Sequence, residues 1–473
     1  MDPPAQPAEP FPQVLEATPR SVPFREAFRF WLKLGFINFG GPTGQIAILH
    51  QEVVERRRWI SNERFLHALN YCMLLPGPEA QQLSVYIGWL LHGTVGGLVA
   101  GTLFVLPGAI LMLGLSWLYA TKGDVSWVAA IFYGLRPAVL AIVTAAVLRI
   151  GSTALRSGFH LSIATLAFLA IFLLQAPFPL VILTAAAAGL VQARLRPESV
   201  GGSLHAEPEA RAAPLAVPDG FINASTADLR AGRSLRVLAV GLAAWWGPLA
   251  LVLCLRGTSD VLSQEALFFS KAAMITFGGA YAVLWYINRQ AVEVFGWLEP
   301  GQMVTGLGLA ETTPGPLILV TQFVGFLGAY QHPGGLDPLL AGTLGAIVTT
   351  WATFAPCFLW IFLGAPFIEK LRGHRGLNAA LGAITAAVVG VILNLAVVLG
   401  LPTLFQQVRA MKIAGLTFPV PVVSSIHVVA LVLCVVAFVG LRRWKWGVVQ
   451  VVLGCALVSL ILRWAGLLPE TAP

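Results

Sequence analysis

Long apolar runs without a charged residue alternate with short polar stretches along most of this chain. Segments free of Asp, Glu, Lys and Arg cover 98–121, 161–193, 237–255, 338–368, 376–408, 413–441 and 446–462. A helix needs roughly 20 apolar residues to cross a bilayer core of about 30 Å. Several of these runs are therefore long enough for one membrane-spanning helix, and the longest are long enough for two. Their continuity excludes a membrane β-barrel, whose strands alternate polar and apolar residues.

The composition also indicates a polytopic membrane protein. Of the 473 residues, 57% are apolar and 11% are charged, whereas soluble proteins average roughly 25% charged residues. The net charge of +8 comes from Lys and Arg that collect at the ends of the apolar runs, as they do in cytoplasmic loops. This distribution explains the basic balance without nucleic acid as a partner. The five cysteines lack CxxC spacing, so the sequence predicts neither a disulfide framework nor a metal site.

An internal repeat is the most informative feature of the sequence. When the chain is aligned with itself, the Phe-Gly-Gly triplet at 39–41 falls on 277–279, and in the same register the Pro-Gly-Pro triplet at 76–78 falls on 314–316. Between residues 30 and 78, 13 of 49 positions are identical, and several are Gly, Pro or Trp, whose geometry is difficult to replace. Further on, Pro107 matches Pro356, so the second half contains about 11 inserted residues. The chain is therefore predicted to consist of two homologous halves.

The predicted fold class is an all-α polytopic membrane protein with about 13 membrane segments. These segments lie near 27–50, 66–91, 98–120, 128–148, 161–175, 177–193, 237–255, 265–287, 303–327, 339–363, 378–400, 425–441 and 447–465. The predicted divisions are a polar tail (1–26), a first membrane repeat (27–193), a cytoplasmic linker (194–234), a second repeat with a preceding span (235–400) and C-terminal spans (401–473). Because an additional span precedes the second repeat, the two repeats are expected to have inverted topology, as in many secondary transporters.

Two points of this topology stay open at the level of the sequence. Residues 161–193 form either a short hairpin around Pro177 and Pro179 or one long tilted span, which would change the parity. With the linker inside, Arg289 is expected in the cytoplasm, but the basic triplet 56–58 lies outside, against the positive-inside tendency. A first helix that turns back at its Gly-Gly step would remove that conflict.

The Gly and Pro triplets lie inside otherwise apolar segments, where they interrupt helical hydrogen bonding. Lipid cannot satisfy the freed backbone groups, so such breaks are tolerated only where protein or a water-filled cavity covers them. A helix N-terminus exposed there carries about half a positive charge and free N–H groups that suit an anion. Packing kinks are the alternative explanation. The symmetric placement of the breaks in two halves favours a transport site.

Three cations within the apolar segments are candidates for binding an anion. Lys33 and Lys271 each lie six residues before a Phe-Gly-Gly triplet, so the repeat relates two lysines that could surround one divalent oxyanion. Arg136 is the third, because its planar fork suits a tetrahedral oxyanion, although the second half has Thr385 in its place. The alternatives are lysines that snorkel to the interface and an arginine in a structural ion pair.

Two carboxylates are candidates for proton coupling. Glu79 follows the first Pro-Gly-Pro triplet and Glu311 precedes the second by three residues, and a buried carboxyl can bind and release a proton. The alternative is a surface carboxylate at the end of a short helix. The candidate substrate-binding residues are Lys33, Asn38, Phe39, Gly40, Gly41, Pro76, Gly77, Pro78, Gln82, Arg136, Lys271, Phe277, Gly278, Gly279, Thr313, Pro314, Gly315 and Pro316. No nucleophile–base arrangement or redox-cofactor motif is visible, so the sequence predicts neither an enzyme nor a bound cofactor.

These residues resemble the chromate ion transporter family in its two-domain form. The resemblance rests on FGGP at 39–42, the first Pro-Gly-Pro with Gln82 and YIG at 86–88, LPG at 106–108, RPAV at 136–139, FGG at 277–279 and TPGP at 313–316. It covers roughly 27–155 and 265–400. The resemblance implies export of chromate from the bacterial cytoplasm at the expense of the proton gradient, and hence chromate resistance. The second Pro-Gly-Pro lacks the glutamine that follows the first, so the two half-sites are not expected to be equivalent.

The predicted function is therefore secondary active export of chromate across the inner membrane, driven by protons. The first 23 residues are Pro-rich and acidic without an apolar region, so no cleaved signal peptide is expected and the N-terminus is placed in the cytoplasm. Without the resemblance, the residues support only an anion, because sulfate has the same charge and nearly the same shape. A transporter of sulfate or another anion and a passive anion channel are the alternatives. The sequence does not decide the stoichiometry, or whether the protein is a homodimer.

Overall fold

The computed structural model describes residues 22–39, 41–73, 75–123, 125–195, 231–277, 280–299, 301–365, 375–413 and 416–467. Within these ranges the chain is almost entirely helical, with one antiparallel β-hairpin. The elements are α1 (Phe24–Ile37), α2 (Gly41–His50), α3 (Asn62–Cys72), α4 (Glu79–Lys122), α5 (Ser126–Ala154), α6 (Gly158–Phe172), α7 (Phe178–Leu195), α8 (Ala231–Arg256), α9 (Val261–Ile275), α10 (Ala280–Arg289), α11 (Gln302–Thr312), α12 (Val320–Gln331), α13 (Pro338–Gly364), α14 (Arg375–Leu404), β1 (Val408–Ile413), β2 (Leu416–Pro421), α15 (Val428–Arg443) and α16 (Val448–Trp464).

Several helices have the length and composition of membrane spans. Six are long and apolar enough to cross a bilayer, and they lie within α4, α5, α7, α8, α13 and α14. Helices α6 and α16 and residues 317–331 are apolar but shorter. The protein is therefore a multi-pass helical membrane protein, as the composition predicts.

Four of the predicted membrane segments are each broken in two. The segments 27–50 and 265–287 divide at the Phe-Gly-Gly triplets, and the segments 66–91 and 303–327 divide at the Pro-Gly-Pro triplets. The helices end and begin again at these triplets, as the sequence predicts. An α-helix does not continue through the Pro-Gly-Pro triplets, because proline has no N–H to donate and the central glycines have positive φ.

After the first break the chain turns back on itself. Arg57 Nη1 lies 3.6 Å from Glu26 Oε1, and its guanidinium lies 4.8 Å from the ring centre of Phe30. The ring of Trp59 also packs on Phe30, with 4.9 Å between the ring centroids. Helix α2 therefore returns the chain to the end of the molecule at which α1 begins. The basic triplet 56–58 lies at that same end.

The second half repeats this arrangement. Trp297, which the repeat aligns with Trp59, packs against Phe268 and Phe269 of α9, with ring centroids 5.7 Å and 6.2 Å apart. Helix α10 therefore returns the chain to the start of α9. The two halves thus contain the same pair of broken helices, each closed by one tryptophan.

Helices that hold equivalent places in the two halves run antiparallel to each other. In α5 and α14, a Cβ atom at Gly151 would lie 3.6 Å from Val389 Cγ1, and a Cβ atom at Gly400 would lie 3.1 Å from Leu140 Cδ1. The end of α5 therefore approaches the middle of α14, while the end of α14 approaches the middle of α5.

The same relation holds for α4 and α13. Helix α4 is kinked at His92 and Gly93, which have non-helical φ and ψ. In the arm after the kink, Gly97 lies against Phe362 and Gly101 lies against Phe358. Residue numbers rise along one helix as they fall along the other, so this pair is also antiparallel.

The terminal hairpins of the two halves are exchanged. Residues 161–193 form two helices, α6 and α7, which settles the question left by the sequence. Both pack against α14 of the second half, whereas α15 and α16 pack against α5 of the first half. The two hairpins correspond, because α15 follows α6 at the same distance along the chain as α16 follows α7. Each half therefore completes the other.

The bundle has two ends, which we call the linker face and the far face. The linker face contains the end of α7 at Leu195 and the start of α8 at Ala231; the start of α14 also lies there, because Gly189 of α7 packs on Ala379. The turn between α6 and α7 lies at the far face. Arg289 donates hydrogen bonds to the backbone and side chain of Gln175 in that turn. The expectation that Arg289 shares a face with the linker was therefore wrong.

Candidate functional site

The two Pro-Gly-Pro turns meet the broken helices of the opposite half. The N–H of Gly77 donates a hydrogen bond to the carbonyl oxygen of Thr276 (2.8 Å), and the N–H of Gly315 donates to the carbonyl oxygen of Asn38 (3.3 Å). The repeat aligns the two glycines with each other and, in the same register, the two acceptors. Reciprocal contacts of this kind are the signature of a two-fold relation between the halves.

Glycine is required where these turns pack. Gly77 and Gly315 have φ values of +123° and +107°, which L-residues with a side chain rarely adopt. A Cβ atom at Gly77 would lie 2.6 Å from the Sγ atom of Cys357, and a Cβ atom at Gly108 would collide with the carbonyl oxygen of Pro314. The close approach of the two halves therefore depends on the absence of side chains at these positions.

Buried amide side chains satisfy the backbone groups that the breaks leave free. Gln45 donates to the carbonyl oxygens of Asn38 and Gly315, and Gln82 donates to the carbonyl oxygen of Pro76 (2.8 Å). The Nδ2 atom of Asn38 donates to the carbonyl oxygen of Phe104 (3.2 Å). Such bonds are needed because no water or lipid group can satisfy a buried carbonyl. The amides therefore stabilise the junction itself.

A cavity of about 500 Å³ leads from the linker face toward this junction. Its walls are the second half of α5 and the turn between α15 and α16, and it contains two arginines, Arg149 and Arg442. Its other polar residues are Ser152, Tyr281 and Glu311. We call this space the linker-face cavity. It is cationic near the surface, where both arginines are exposed.

The inner end of the linker-face cavity holds a buried Tyr–Glu pair. The Tyr281 hydroxyl donates a hydrogen bond to Glu311 Oε1 over 2.6 Å, and the two residues are 4% and 5% exposed. Arg149 lines the same cavity. A Cβ atom at Gly41, the first residue of α2, would lie 3.9 Å from the same hydroxyl. The pair therefore stands at the N-terminus of a broken helix of the other half.

A second cavity, of about 400 Å³, lies at the far face. It is lined by the end of α14, the turn between α6 and α7 and the end of α10, and its charged residues are Arg289 and Glu293. These two form an ion pair of 3.4 Å. We call this space the far-face cavity. None of its described lining residues belongs to the Pro-Gly-Pro or Phe-Gly-Gly triplets.

Not all of the cations expected from the sequence face the junction. Lys33 and Lys271 are exposed on the outer sides of α1 and α9, so their contribution to a central cradle is corrected. Both lie on the helix face opposite to the buried positions, where the neighbouring Leu32 and Met274 are also exposed. Arg136 is half-buried, with its guanidinium beside Gly301 at the start of α11. About ten helical residues, or 15 Å of α11, separate that position from Glu311.

The remaining predicted residues cluster at the junction. Asn38, Gly41, Gly77, Pro78, Glu79, Gln82, Thr313, Pro314, Gly315 and Pro316 are buried, and Phe39, Pro76 and Phe277 are partly buried. Glu79 is buried beside Cys72 and does not line the cavity that contains Glu311. Gly40, Gly278 and Gly279 lie outside the described residues.

The sequence reasoning missed three residues of the linker-face cavity. The sequence indicated that Arg149 and Arg442 are loop cations, because each of them lies at the end of a long apolar run. Tyr281 lies four residues after Phe277, and its counterpart in the first half is Thr43, so the repeat gave it no support. A polar aromatic residue directly after a helix break was the available signal. Only packing brings it within hydrogen-bond distance of Glu311.

Comparison with known proteins bears on the function of this junction. The model of the chromate transporter family matches residues 25–190 and 264–460, so both halves match it, whereas the linker and α8 lie outside the matched ranges. The chain belongs to the chromate transporter family. A chromate transport protein of Pseudomonas aeruginosa is 32% identical over 453 residues, which cover 94% of each chain. A probable chromate transport protein of Synechococcus elongatus is 29% identical over 86% of this chain and 94% of its own.

Membership of this family agrees with the resemblance seen in the sequence. No solved structure matches this chain. Proteins of the family are transporters, and the family name gives chromate as the transported ion. An oxyanion-binding site is therefore expected in this transporter. The linker-face cavity contains two arginines, the hydroxyl of Ser152 and the Tyr281–Glu311 pair.

Proposed function

We propose that this protein is a secondary active transporter that exports chromate across the bacterial inner membrane in exchange for protons. The linker face is cytoplasmic in this proposal, because the linker, which contains five arginines, begins and ends there. The N-terminus then lies in the cytoplasm as well, since α1 begins where the basic triplet 56–58 returns. The far face is periplasmic.

We further propose that the two halves are inverted-topology repeats. The antiparallel packing of α5 on α14, and of α4 on α13, supports this orientation. The reciprocal hydrogen bonds of Gly77 and Gly315 support a two-fold axis between the halves. In this proposal the second repeat includes α15 and α16, because they pack on α5 as α6 and α7 pack on α14. Inverted repeats provide two half-channels that can open alternately.

The single observation that carries the proposal is the linker-face cavity with its floor at the Tyr281–Glu311 pair. Arg149 and Arg442 offer two positive charges to a dianion that enters from the cytoplasm. A guanidinium fork can bind two oxygens of a tetrahedral oxyanion at once. The N-terminus of α2 at Gly41 adds N–H groups at the inner end. The anion would therefore lose its hydration shell gradually as it approaches the junction.

Glu311 is the proton-coupling group in this proposal. A carboxylate at the floor of the cavity repels a dianion, whereas a protonated carboxyl donates a hydrogen bond to it. Anion and proton would therefore change places at the same floor when the cavity changes its side of access. Tyr281 is the positioning residue, because its hydroxyl fixes Oε1 of Glu311. Rocking of one half against the other would then move the site between the two faces.

The test is uptake of radiolabelled chromate into proteoliposomes with the linker face outward. We expect saturable uptake that an imposed proton gradient drives and that an uncoupler abolishes. Replacing Arg149 and Arg442 by Ala is expected to lower the initial rate tenfold or more, which is about the scale by which charged clefts raise on-rates. Arg443→Ala is the matched control, because Arg443 is exposed beside Arg442 but does not line the cavity.

Two outcomes would contradict the proposal. Flux that follows the membrane potential without saturation would indicate a passive channel. Equal loss of rate in the Arg443 variant would show that the cavity has no special part in transport. Competition by sulfate at equimolar concentration would extend the substrate to that oxyanion and leave the mechanism unchanged.

A further inference from the structure

A buried carboxyl group lies in the second half, away from both cavities. Glu265 of α9 is 0% exposed, and among the residues that the structure describes neither of its two carboxyl oxygens has a hydrogen-bond partner. Glu265 is absent from the described lining of the linker-face cavity and of the far-face cavity. An ionised carboxylate in this position would lack water and a counter-ion, which is strongly unfavourable in a membrane interior.

The packing of α12 and α13 leaves a space that fits the carboxyl. A Cβ atom at Gly328 would lie 2.8 Å from Glu265 Oε1, and a Cβ atom at Gly345 would lie 2.9 Å from Glu265 Oε2. The side chain of Trp297 is the third wall, at 3.1 Å from the same Gly328 position. Two glycines therefore make room for one acidic group between three packed elements.

The fold itself does not need an acid here. The repeat places Ala27 at the equivalent position, and Ala27 is 1% exposed in α1. The first half has the same close helix crossing, in which Gly88 and Gly96 contact each other's backbone. One half of the repeat is thus built with a methyl group and the other with a carboxyl. The difference indicates a chemical role for Glu265 beyond packing.

The charged groups around Glu265 are engaged with other partners. Asp260, at the start of α9, is paired with Arg256 of α8 over 2.8 Å. His332, after α12, lies with its Nδ1 atom 3.1 Å from a backbone carbonyl oxygen of that helix. Asp337 caps α13 by accepting from two backbone N–H groups. In the part of the chain that the structure describes, no cation forms an ion pair with Glu265.

We propose that Glu265 is a proton-binding site of this transporter, loaded from the far face. This inference rests on the proposed function, in which that face is periplasmic and protons enter there. Glu265 lies four residues, or about one turn, from the far-face end of α9 at Val261. The other end of α9 leads to Thr276, which accepts the hydrogen bond from Gly77. A protonated Glu265 lets α9 pack on α12 and α13, and loss of the proton weakens that packing.

The two proposed proton-binding groups, Glu311 and Glu265, lie at different places in the protein. Glu311 faces the linker-face cavity at the junction, whereas Glu265 lies on the far side of the junction and on the helix that contacts the first Pro-Gly-Pro turn. Proton uptake at Glu265 would favour one position of α9, and proton release would favour the other. Such a group biases a two-state element through a local charge change.

The decisive variant is Glu265→Gln, which has the shape of the protonated acid but cannot release a proton. We expect it to fold, to bind chromate with a Kd within about twofold of wild type, and to lose the acceleration that a proton gradient gives to chromate flux. A coupled proton makes about a tenfold difference in equilibrium accumulation for each pH unit. Glu299→Gln is the matched control, since Glu299 is an exposed acid that lines neither cavity.

A spectroscopic readout keeps the proposal independent of transport. Infrared spectra of the wild-type protein in detergent at neutral pH should contain a protonated-carboxyl band that is lost in Glu265→Gln and kept in Glu299→Gln. If the Gln variant does not fold, Glu265→Asp should retain coupling and Glu265→Ala, which copies position 27, should lose it.

The outcomes distinguish this inference from the proposed function. Normal coupling in Glu265→Gln, or an unchanged carboxyl band, overturns the role of Glu265 and leaves chromate export standing. Absence of chromate flux in the wild type overturns the proposed function, while the infrared band still decides whether Glu265 holds a proton.

Discussion

The two cavities are built from matching elements of the two halves, yet their chemistry differs. The linker-face cavity lies between α5 and the turn that joins α15 to α16, and the far-face cavity lies between α14 and the turn that joins α6 to α7. The alignment of α5 with α14 pairs Arg149 with Val398, and that of the terminal hairpins pairs Arg442 with Phe172. All four residues line their cavities. The far-face cavity therefore has apolar residues at the positions equivalent to both arginines of the linker-face cavity.

The cavities also differ in depth. Only the linker-face cavity includes Tyr281 and Glu311 among its described lining residues. A repeated scaffold thus supplies two vestibules, and side-chain differences make one attractive to an anion and the other nearly neutral. For an exporter, this difference would favour capture at one face and release at the other.

The largest expected effect is the loss of the junction on which both cavities depend. Gly77→Ala should destabilise the protein by about 2–4 kcal/mol, because it adds strain at positive φ to a close contact with Cys357. Gly315→Ala should cost less, about 1–2 kcal/mol, because its nearest neighbour is the end of the flexible Leu319 side chain. Thermal unfolding in detergent measures both. Equal losses would contradict the packing difference described here.

The second expected effect concerns the floor of the linker-face cavity. Tyr281→Phe removes the hydrogen bond to Glu311 and leaves a buried carboxyl oxygen unsatisfied, which costs about 1–3 kcal/mol. We expect chromate flux to fall roughly tenfold. The control is Tyr330→Phe, because Tyr330 lies at the end of α12 and lines neither cavity. Wild-type flux in Tyr281→Phe would exclude the pair from the transport site.

The third prediction concerns a variant that reduces the charge difference between the two cavities. Val398→Arg gives the far-face cavity the cation that Arg149 gives its counterpart. We expect chromate to enter from the far face a few-fold faster, since a charge at a cleft mainly changes the on-rate. Proteoliposomes sorted by orientation measure the two directions separately. An unchanged ratio of the two rates would show that cavity charge does not set direction.

The smallest expected effect is that of the two repeat-related lysines. Lys33 and Lys271 are exposed on the outer sides of their helices. The double variant Lys33→Ala, Lys271→Ala should therefore transport chromate within about twofold of wild type, as is usual for exposed charges. The same flux assay measures this. A tenfold loss would return the lysines to the site and weaken the case for Arg149 and Arg442.

The sequence predicted the backbone features of the site better than its side chains. The triplets at 76–78 and 314–316 were expected to break helices and meet, and their glycines do contact the opposite half. Glycine and proline reveal such positions because their constraints are local. The lysines and Tyr281 were misjudged because a helix presents residues on all sides, and only its neighbours decide which side is buried.

The sequence by itself determined that this is a helical membrane protein of two homologous halves with broken helices, because apolar length and glycine–proline geometry act within a few residues. Only the tertiary structure decided that α2 turns back, that the terminal hairpins are exchanged, and which cations face a cavity. These features depend on contacts between segments that are distant in the chain, such as Glu26 with Arg57, Gly77 with Thr276 and Gln45 with Gly315. No local pattern in the chain encodes the partner of such a contact.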